Sequence, residues 1–234
     1  MTKNNRFFLA YAKVTANSSN KKVIMNPVLT SISQFGRILG SLFYYSPDQA
    51  QNQPLLALFA GEQWQSSCDF LPQALLQQLQ SDFTDSIEQG MEKLNDDYQA
   101  LFIGPNALPA PPWGSVYLDK EAVIFGSSLL ELRNFMRQHG ISLQLAQKEP
   151  EDHFGLMMMM AAWLAEDQSA NNNPQPLAEF LRLHLLPWSG RFLELLSAEQ
   201  NRTFYCNLAL LSQKLLAHWQ QELQLEVAEV RLYR

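Results

Sequence analysis

The chain has 234 residues, is 47% apolar and 17% charged, and carries a net charge of −6. Such a composition builds a core and excludes a disordered chain, and the length allows one large domain or two small ones. No apolar run reaches the roughly 20 residues of a membrane-spanning helix, and the acid excess argues against nucleic acid as a partner.

Charge is unevenly spread. Residues 1–24 hold Lys3, Arg6, Lys13, Lys21 and Lys22 and no acid, leaving 12 basic against 23 acidic residues in the body, a net of −11. An acidic body suits a basic partner. Within the extension, Phe7–Ala12 is apolar but short, and Lys13 interrupts it. That falls below what a secretory leader asks. The expectation is a disordered or weakly packed piece over 1–24, with the folded domain over 25–234 and Met25-Asn26-Pro27 as its start. Cys68 and Cys206 form no CxxC pair and no disulfide framework, so a reducing compartment is expected.

Helical spacing dominates the body. Ile32, Phe35, Ile38, Leu39, Leu42 and Phe43 predict a first amphipathic helix, ended by Ser46-Pro47-Asp48. Pro54 to Phe59 predicts a second, stopped at Gly61, and Leu71 to Leu79 a third. A fourth runs from about Asp82 to Phe102 through Phe83, Ile87, Met91, Leu94, Tyr98 and Leu101. Gly104-Pro105 breaks it, and Pro109, Pro111 and Pro112 lead into Trp113-Gly114. Each proline fixes its own φ and pushes the preceding residue to extended geometry. The product is a stiff apolar loop, one that loses little entropy on docking a ligand. Ser115–Leu118 and Ala122–Phe125 are the only segments that could be extended.

Helices then resume. Ser128 and Glu131 match the S-x-x-E capping box, and the helix they open runs to His139 with Gly140 just past it. Glu149-Pro-Glu-Asp-His153 places acids and a proline in the first turn of the next helix, which runs to Leu164. Met157–Met160 fills a whole turn, so this helix is expected to be buried all round. Asn171–Pro176 reads as a loop. Leu177–Leu186 is a helix that Pro187-Trp188 should end, and a short one follows with Phe192, Leu195 and Leu196. Leu208, Leu211, Leu215, Trp219 and Leu223 mark a long last helix. The class is all-α, a single compact multi-helix domain with a proline-rich connecting loop.

Glu149, Glu151, Asp152 and His153 are the only dense titratable cluster. A metal-assisted hydrolase on Glu149, Asp152 and His153 is one reading, but the second histidine of an HExxH pair is absent. The plainer reading is an acidic first turn with His153 as a local hydrogen-bonding partner. Recognition is a third, because carboxylates at an exposed helix start can pair with arginine forks. No GxSxG, GxxxxGK or GxGxxG sequence occurs, so the residues favour a binding protein over a catalyst.

Tyr98-xx-Leu-Phe-x-Gly-Pro, Leu-Pro-x-Pro-Pro-Trp-Gly-Ser-Val-Tyr-Leu-Asp119, Phe125-Gly126 and Glu149-Pro-Glu-Asp-His-Phe-Gly155 resemble the TorD/DmsD family, most of all its DmsD branch. The likeness extends through Ile38–Tyr45, Ala161–Glu166 and Leu186–Ser189, covering about residues 27–234. It implies a cytoplasmic chaperone with no enzymatic activity and no cofactor or metal of its own. Its partners would be the twin-arginine leader and the precursor of a molybdopterin-containing reductase, dimethyl sulfoxide reductase by this branch, with translocase components as further candidates. The leader-binding residues implied are Tyr98, Leu101, Phe102, Pro111, Pro112, Trp113, Gly126, Glu149, Pro150, Asp152 and His153. Tyr98, Asn106 and Tyr117 stand where close relatives can have Trp.

Overall fold

The computed structural model describes residues 26–120, 126–143, 149–199 and 203–234. The expected basic extension over 1–24 and the extended segment Ala122–Phe125 lie outside these. Helix α1 (Pro27–Tyr44) starts with Asn26 as its cap, the side chain accepting from the Val28 N–H at 3.1 Å. Then come α2 (Gln53–Ala60), α3 (Gln73–Glu88), α4 (Met91–Tyr98), α5 (Gly114–Leu118), α6 (Ser127–Gln138) and α7 (Phe154–Asn171). After them stand α8 (Gln175–Phe180), α9 (Leu186–Ser197) and α10 (Phe204–Glu222). The all-α expectation for one domain holds among the described residues.

The centre is the seam of α1 against α7, which run antiparallel, with α10 packed on α1, α3 and α9. Backbones can approach this closely because glycines line the seam. A Cβ on Gly36 would meet the Met158 carbonyl oxygen at 2.7 Å, and one on Gly40 the Gly155 carbonyl oxygen at 2.7 Å. Helix α7 is buried nearly all round, as its methionine turn predicts: Met157, Met158 and Met160 are core residues. Around its start, Phe43, Phe154 and Phe192 meet with centroids 5.0–6.1 Å apart, and Trp188 joins them. Such aromatic pairs add to their area burial.

Four boundary expectations are corrected. The helices expected over Leu71–Leu79 and Asp82–Phe102 divide elsewhere: α3 runs unbroken to Glu88, and the break falls at Gly90, whose φ of +96° an L-residue resists. Helix α4 then widens into a π turn over Gln99–Ile103 before Gly104. Ser115–Leu118 is the helical α5 and not extended. The first turn of α6 is capped from outside, not by a Ser128–Glu131 box. Asp119 accepts from Ser127 Oγ (2.7 Å), Ser128 N (3.3 Å) and Ser128 Oγ (2.6 Å). These bonds favour the ionised Asp119 and hold its carboxyl below the usual value, overcoming burial, which pushes it up. The far end of α6 is as expected, with Gly140 at φ +64° and the Ile141 N–H returning to the Met136 oxygen.

Pro187 does not end its helix. A π turn over Leu181–Leu185 shifts the hydrogen-bond ladder, so Pro187 falls in the first turn of α9, where a missing N–H costs little.

Candidate functional site

Two segments that stand forty residues apart in sequence meet as one short antiparallel bridge. Trp113 pairs with His153: the Phe154 N–H donates to the Pro112 oxygen (2.7 Å) and the Gly114 N–H to the Asp152 oxygen (3.1 Å). The proline loop is therefore fastened to the start of α7 by backbone bonds on both sides of Trp113. Ala110, Pro111 and Pro112 are buried beneath it, while Asn106 and Ala107 are exposed.

Trp113 is half-buried. Its Nε1 donates to Glu149 Oε1 at 2.6 Å, and its ring meets the His153 ring edge-on at 5.9 Å. Glu149 is half-buried and has no cationic partner among the described residues. Burial pushes its carboxyl above the ordinary value, the Trp113 bond opposes that, and the Asp152 charge adds to it. Glu151 instead pairs with Arg133 of α6, Nε to Oε2 at 2.9 Å.

Asp152 is not at an exposed helix start. It is 4% exposed, its Oδ2 accepts from the Ser115 N–H at 2.7 Å, and Oδ1 has no hydrogen-bond partner among the described residues. Burial pushes its carboxyl up, with the Ser115 bonds opposing. The helix itself starts at Phe154, four residues after Pro150, and His153 is its cap, Nδ1 accepting from the Gly155 N–H at 3.1 Å. Burial drives His153 down to about 3, so it is neutral and its acceptor nitrogen is engaged. The plainer reading of His153 as a local hydrogen-bonding partner is the one observed. A hydrolytic centre on Glu149, Asp152 and His153 gains no support from this geometry, since each has a separate structural bond.

Tyr98, Leu101 and Phe102 come to the same region from α4 and its π turn, but as core residues. Tyr98 Oη donates to the Tyr44 oxygen at 2.8 Å, and its ring packs on Phe102 and Tyr205. Gly126 lies beside Asp119, where a Cβ would sit 2.0 Å from Oδ2, so it makes room for the carboxylate that caps α6. Sequence reasoning missed Tyr44. This last residue of α1 stands half-buried over His153 at 5.3 Å and against Tyr45 at 4.7 Å. Burial, with Glu149 nearby, pushes its phenol up to about 12. The Phe-Tyr-Tyr end of the first helix was a signal that could have found it. The C-terminal segment was missed as well. Tyr233 N donates to the Tyr117 oxygen at 2.9 Å, and Arg234 Nη2 to the Leu108 oxygen at 2.8 Å, holding the proline loop from its outer side.

At the head of α7, a carboxylate with no cationic partner among the described residues thus stands beside indole and phenol rings. The family model described as nitrate reductase delta subunit matches residues 56–194. A Haemophilus influenzae protein named "Probable Tat proofreading chaperone DmsD" is 47% identical over 211 residues, 90% of this chain and the whole of that one. The "Tat proofreading chaperone DmsD" of Salmonella typhimurium is 43% identical over 85% of this chain and 93% of its own. "Chaperone protein TorD" of Shewanella pealeana is 25% identical over 83% of this chain and 90% of its own. The chain belongs to the TorD/DmsD family of redox-enzyme maturation chaperones. Its role is that of a chaperone and not an enzyme. Among the described residues no helix is long and apolar enough to cross a membrane.

Proposed function

We propose that this chain binds the twin-arginine leader of a molybdopterin-containing reductase, dimethyl sulfoxide reductase first among them. It holds the precursor in the cytoplasm until the cofactor is inserted. Translocase components are the partners that would receive the loaded complex. The observation that carries this reading is Glu149, half-buried, bonded to Trp113 at 2.6 Å and without a cation among the described residues. A guanidinium fits that position, because a carboxylate offers about four lone-pair sites and Trp113 takes one. The apolar run after the arginines fits the rings of Trp113, Tyr44 and Tyr45. Asp152 and His153 act behind this surface, fixing Ser115 and the start of α7 and thereby the position of Trp113. Pro111, Pro112, Leu101, Phe102, Tyr98 and Pro150 form the packed bed beneath it.

The test is calorimetric titration with a synthetic leader peptide and with the same peptide carrying glutamine for both arginines. The arginine form should bind more tightly, and its affinity should fall as salt is raised. Equal affinity for both peptides, indifferent to salt, would show that recognition is apolar alone.

A further inference from the structure

This inference rests on the leader-binding reading above and concerns how that surface is held in place. Residues 108–117 form an arch with Trp113 near its middle. The pairing with His153 fastens the crown of the arch to the head of α7. Its two feet are fastened by one dipeptide, Tyr233-Arg234. On the helical side of Trp113, the Tyr233 N–H donates to the Tyr117 oxygen at 2.9 Å. On the proline side, Arg234 Nη2 donates to the Leu108 oxygen at 2.8 Å and to the Pro109 oxygen at 3.3 Å. We propose that Arg234 is a positioning residue for leader binding: together with Tyr233 it clips the two feet of the arch and so keeps Trp113 in place for docking.

The proline side has little else to hold it. Pro109, Pro111 and Pro112 have no N–H to donate. Among the described residues, the backbone of residues 105–111 takes part in no hydrogen bond except those from Arg234. Between that clip and Trp113 the chain is buried at Ala110, Pro111 and Pro112 and stiffened by proline, so a shift at Leu108 is carried along it. The helical side is braced independently. The Tyr117 ring stacks on Trp188 at 5.5 Å, and a Cβ on Gly114 would lie 2.9 Å from the Trp188 ring. Arg234 is itself seated. Its backbone oxygen accepts from Arg191 Nε at 3.3 Å, Arg191 pairs with Glu194 at 2.8 Å, and Leu232 packs against the core. Charge works against the clip. Arg234 is exposed and cationic, and as a bare charge it repels a leader that carries arginines. Weaker binding without Arg234 therefore reports the clip and not the charge. One charge-assisted bond that preorganises a binding surface corresponds to about fivefold in Kd at an exposed position.

The wild type, Arg234→Ala and Arg234→Lys should be titrated with a synthetic twin-arginine leader beside thermal unfolding. Hydrogen exchange of the Gly114 and Phe154 amides, which close the Trp113–His153 bridge, is followed without peptide. Arg234→Ala should bind the leader about fivefold more weakly with an unchanged melting temperature, and both amides should exchange faster. Lysine keeps a cationic donor and should restore most of the affinity and the slow exchange. Unchanged or tighter binding by Arg234→Ala overturns the proposal and leaves the leader site standing. A lowered melting temperature with affinity per folded molecule preserved also overturns it, because Arg234 would then tie down the fold alone. So does a lysine variant as weak as the alanine one, since the loss would not lie in the donated bond. If the leader does not bind the wild type, the leader-binding reading fails first and takes this inference with it.

Discussion

Glu149→Gln separates charge from shape at the site. The glutamine oxygen can still accept from Trp113 Nε1, which now donates at 2.6 Å, so the proline loop is not released. What is lost is the negative charge. A hydrogen bond to a charged group contributes about 1.5–3 kcal/mol, and the half-exposed position of Glu149 puts the expectation at the lower end, about tenfold in leader Kd. The assay is titration calorimetry at pH 5 and pH 8 beside thermal unfolding. Because burial raises the Glu149 carboxyl, it takes up its proton closer to neutrality than an ordinary glutamate. Leader binding to the wild type should therefore weaken as pH falls through that raised value, while the variant stays flat. Stability runs in the opposite direction. A raised folded pKa means that the native state holds the proton more tightly than the unfolded chain. The contribution of Glu149 then declines as pH rises from the ordinary value through the raised one. The variant should lack that decline. If it binds the leader within twofold of wild type at both pH values, Glu149 is not the arginine acceptor and the charge argument fails.

Three further outcomes test the scaffold. Gly40→Ala puts a Cβ 2.7 Å from the Gly155 oxygen and should cost about 2–3 kcal/mol in urea unfolding as α1 and α7 are forced apart; a loss under 0.5 kcal/mol would mean that the seam has slack. Gly126→Ala should expel Asp119 from the start of α6 and cost about 1–2 kcal/mol, and adding Asp119→Ala should cost little more, which a double-mutant cycle measures. Asp152→Asn should raise the melting temperature at pH 7, and the gain should vanish in acid. The folded carboxyl is raised, so its stabilising effect is complete below the ordinary value of 3.8 and is lost as pH rises through the raised one. A lower melting temperature at pH 7 would show that the ionised carboxylate is well satisfied.

What could be read from the sequence was whatever depends on neighbours in the chain. The stripe of α1, the all-round burial of α7, the stop at Gly140 and the stiffness of the proline loop all follow from local periodicity or backbone restriction. What could not be read depends on distant partners. The carboxylate capping α6 belongs to Asp119, eight residues upstream, so the local Ser128–Glu131 pattern pointed to the wrong cap. Pro187 would stop an ordinary helix and is admitted only because a π turn precedes it. The pairing of Trp113 with His153 leaves no alternation to read, since a single bridge has no strand around it. The glycines of the α1–α7 seam were legible in principle: Gly36 and Gly40 stand one helical turn apart, on the face that Gly155 meets. Of the site, the residue types were legible but their depth was not. Asp152 and His153 are as polar in sequence as Glu149, yet only tertiary packing decides that they are buried and Glu149 is not.

If leaders dock as proposed, the bridge between Trp113 and His153 bears on how they are told apart. The loop is bonded on both sides of Trp113 to the start of α7, and α7 packs on α1 through glycine contacts with no space for a Cβ. A surface so mounted acts as a rigid mould, and the adjustment falls on the peptide. Leaders with the same arginines and the same apolar content would then be ranked by the conformational cost each bears in matching that mould. Discrimination between clients would reside in the backbone preferences of the leader, at positions that touch nothing on the chaperone.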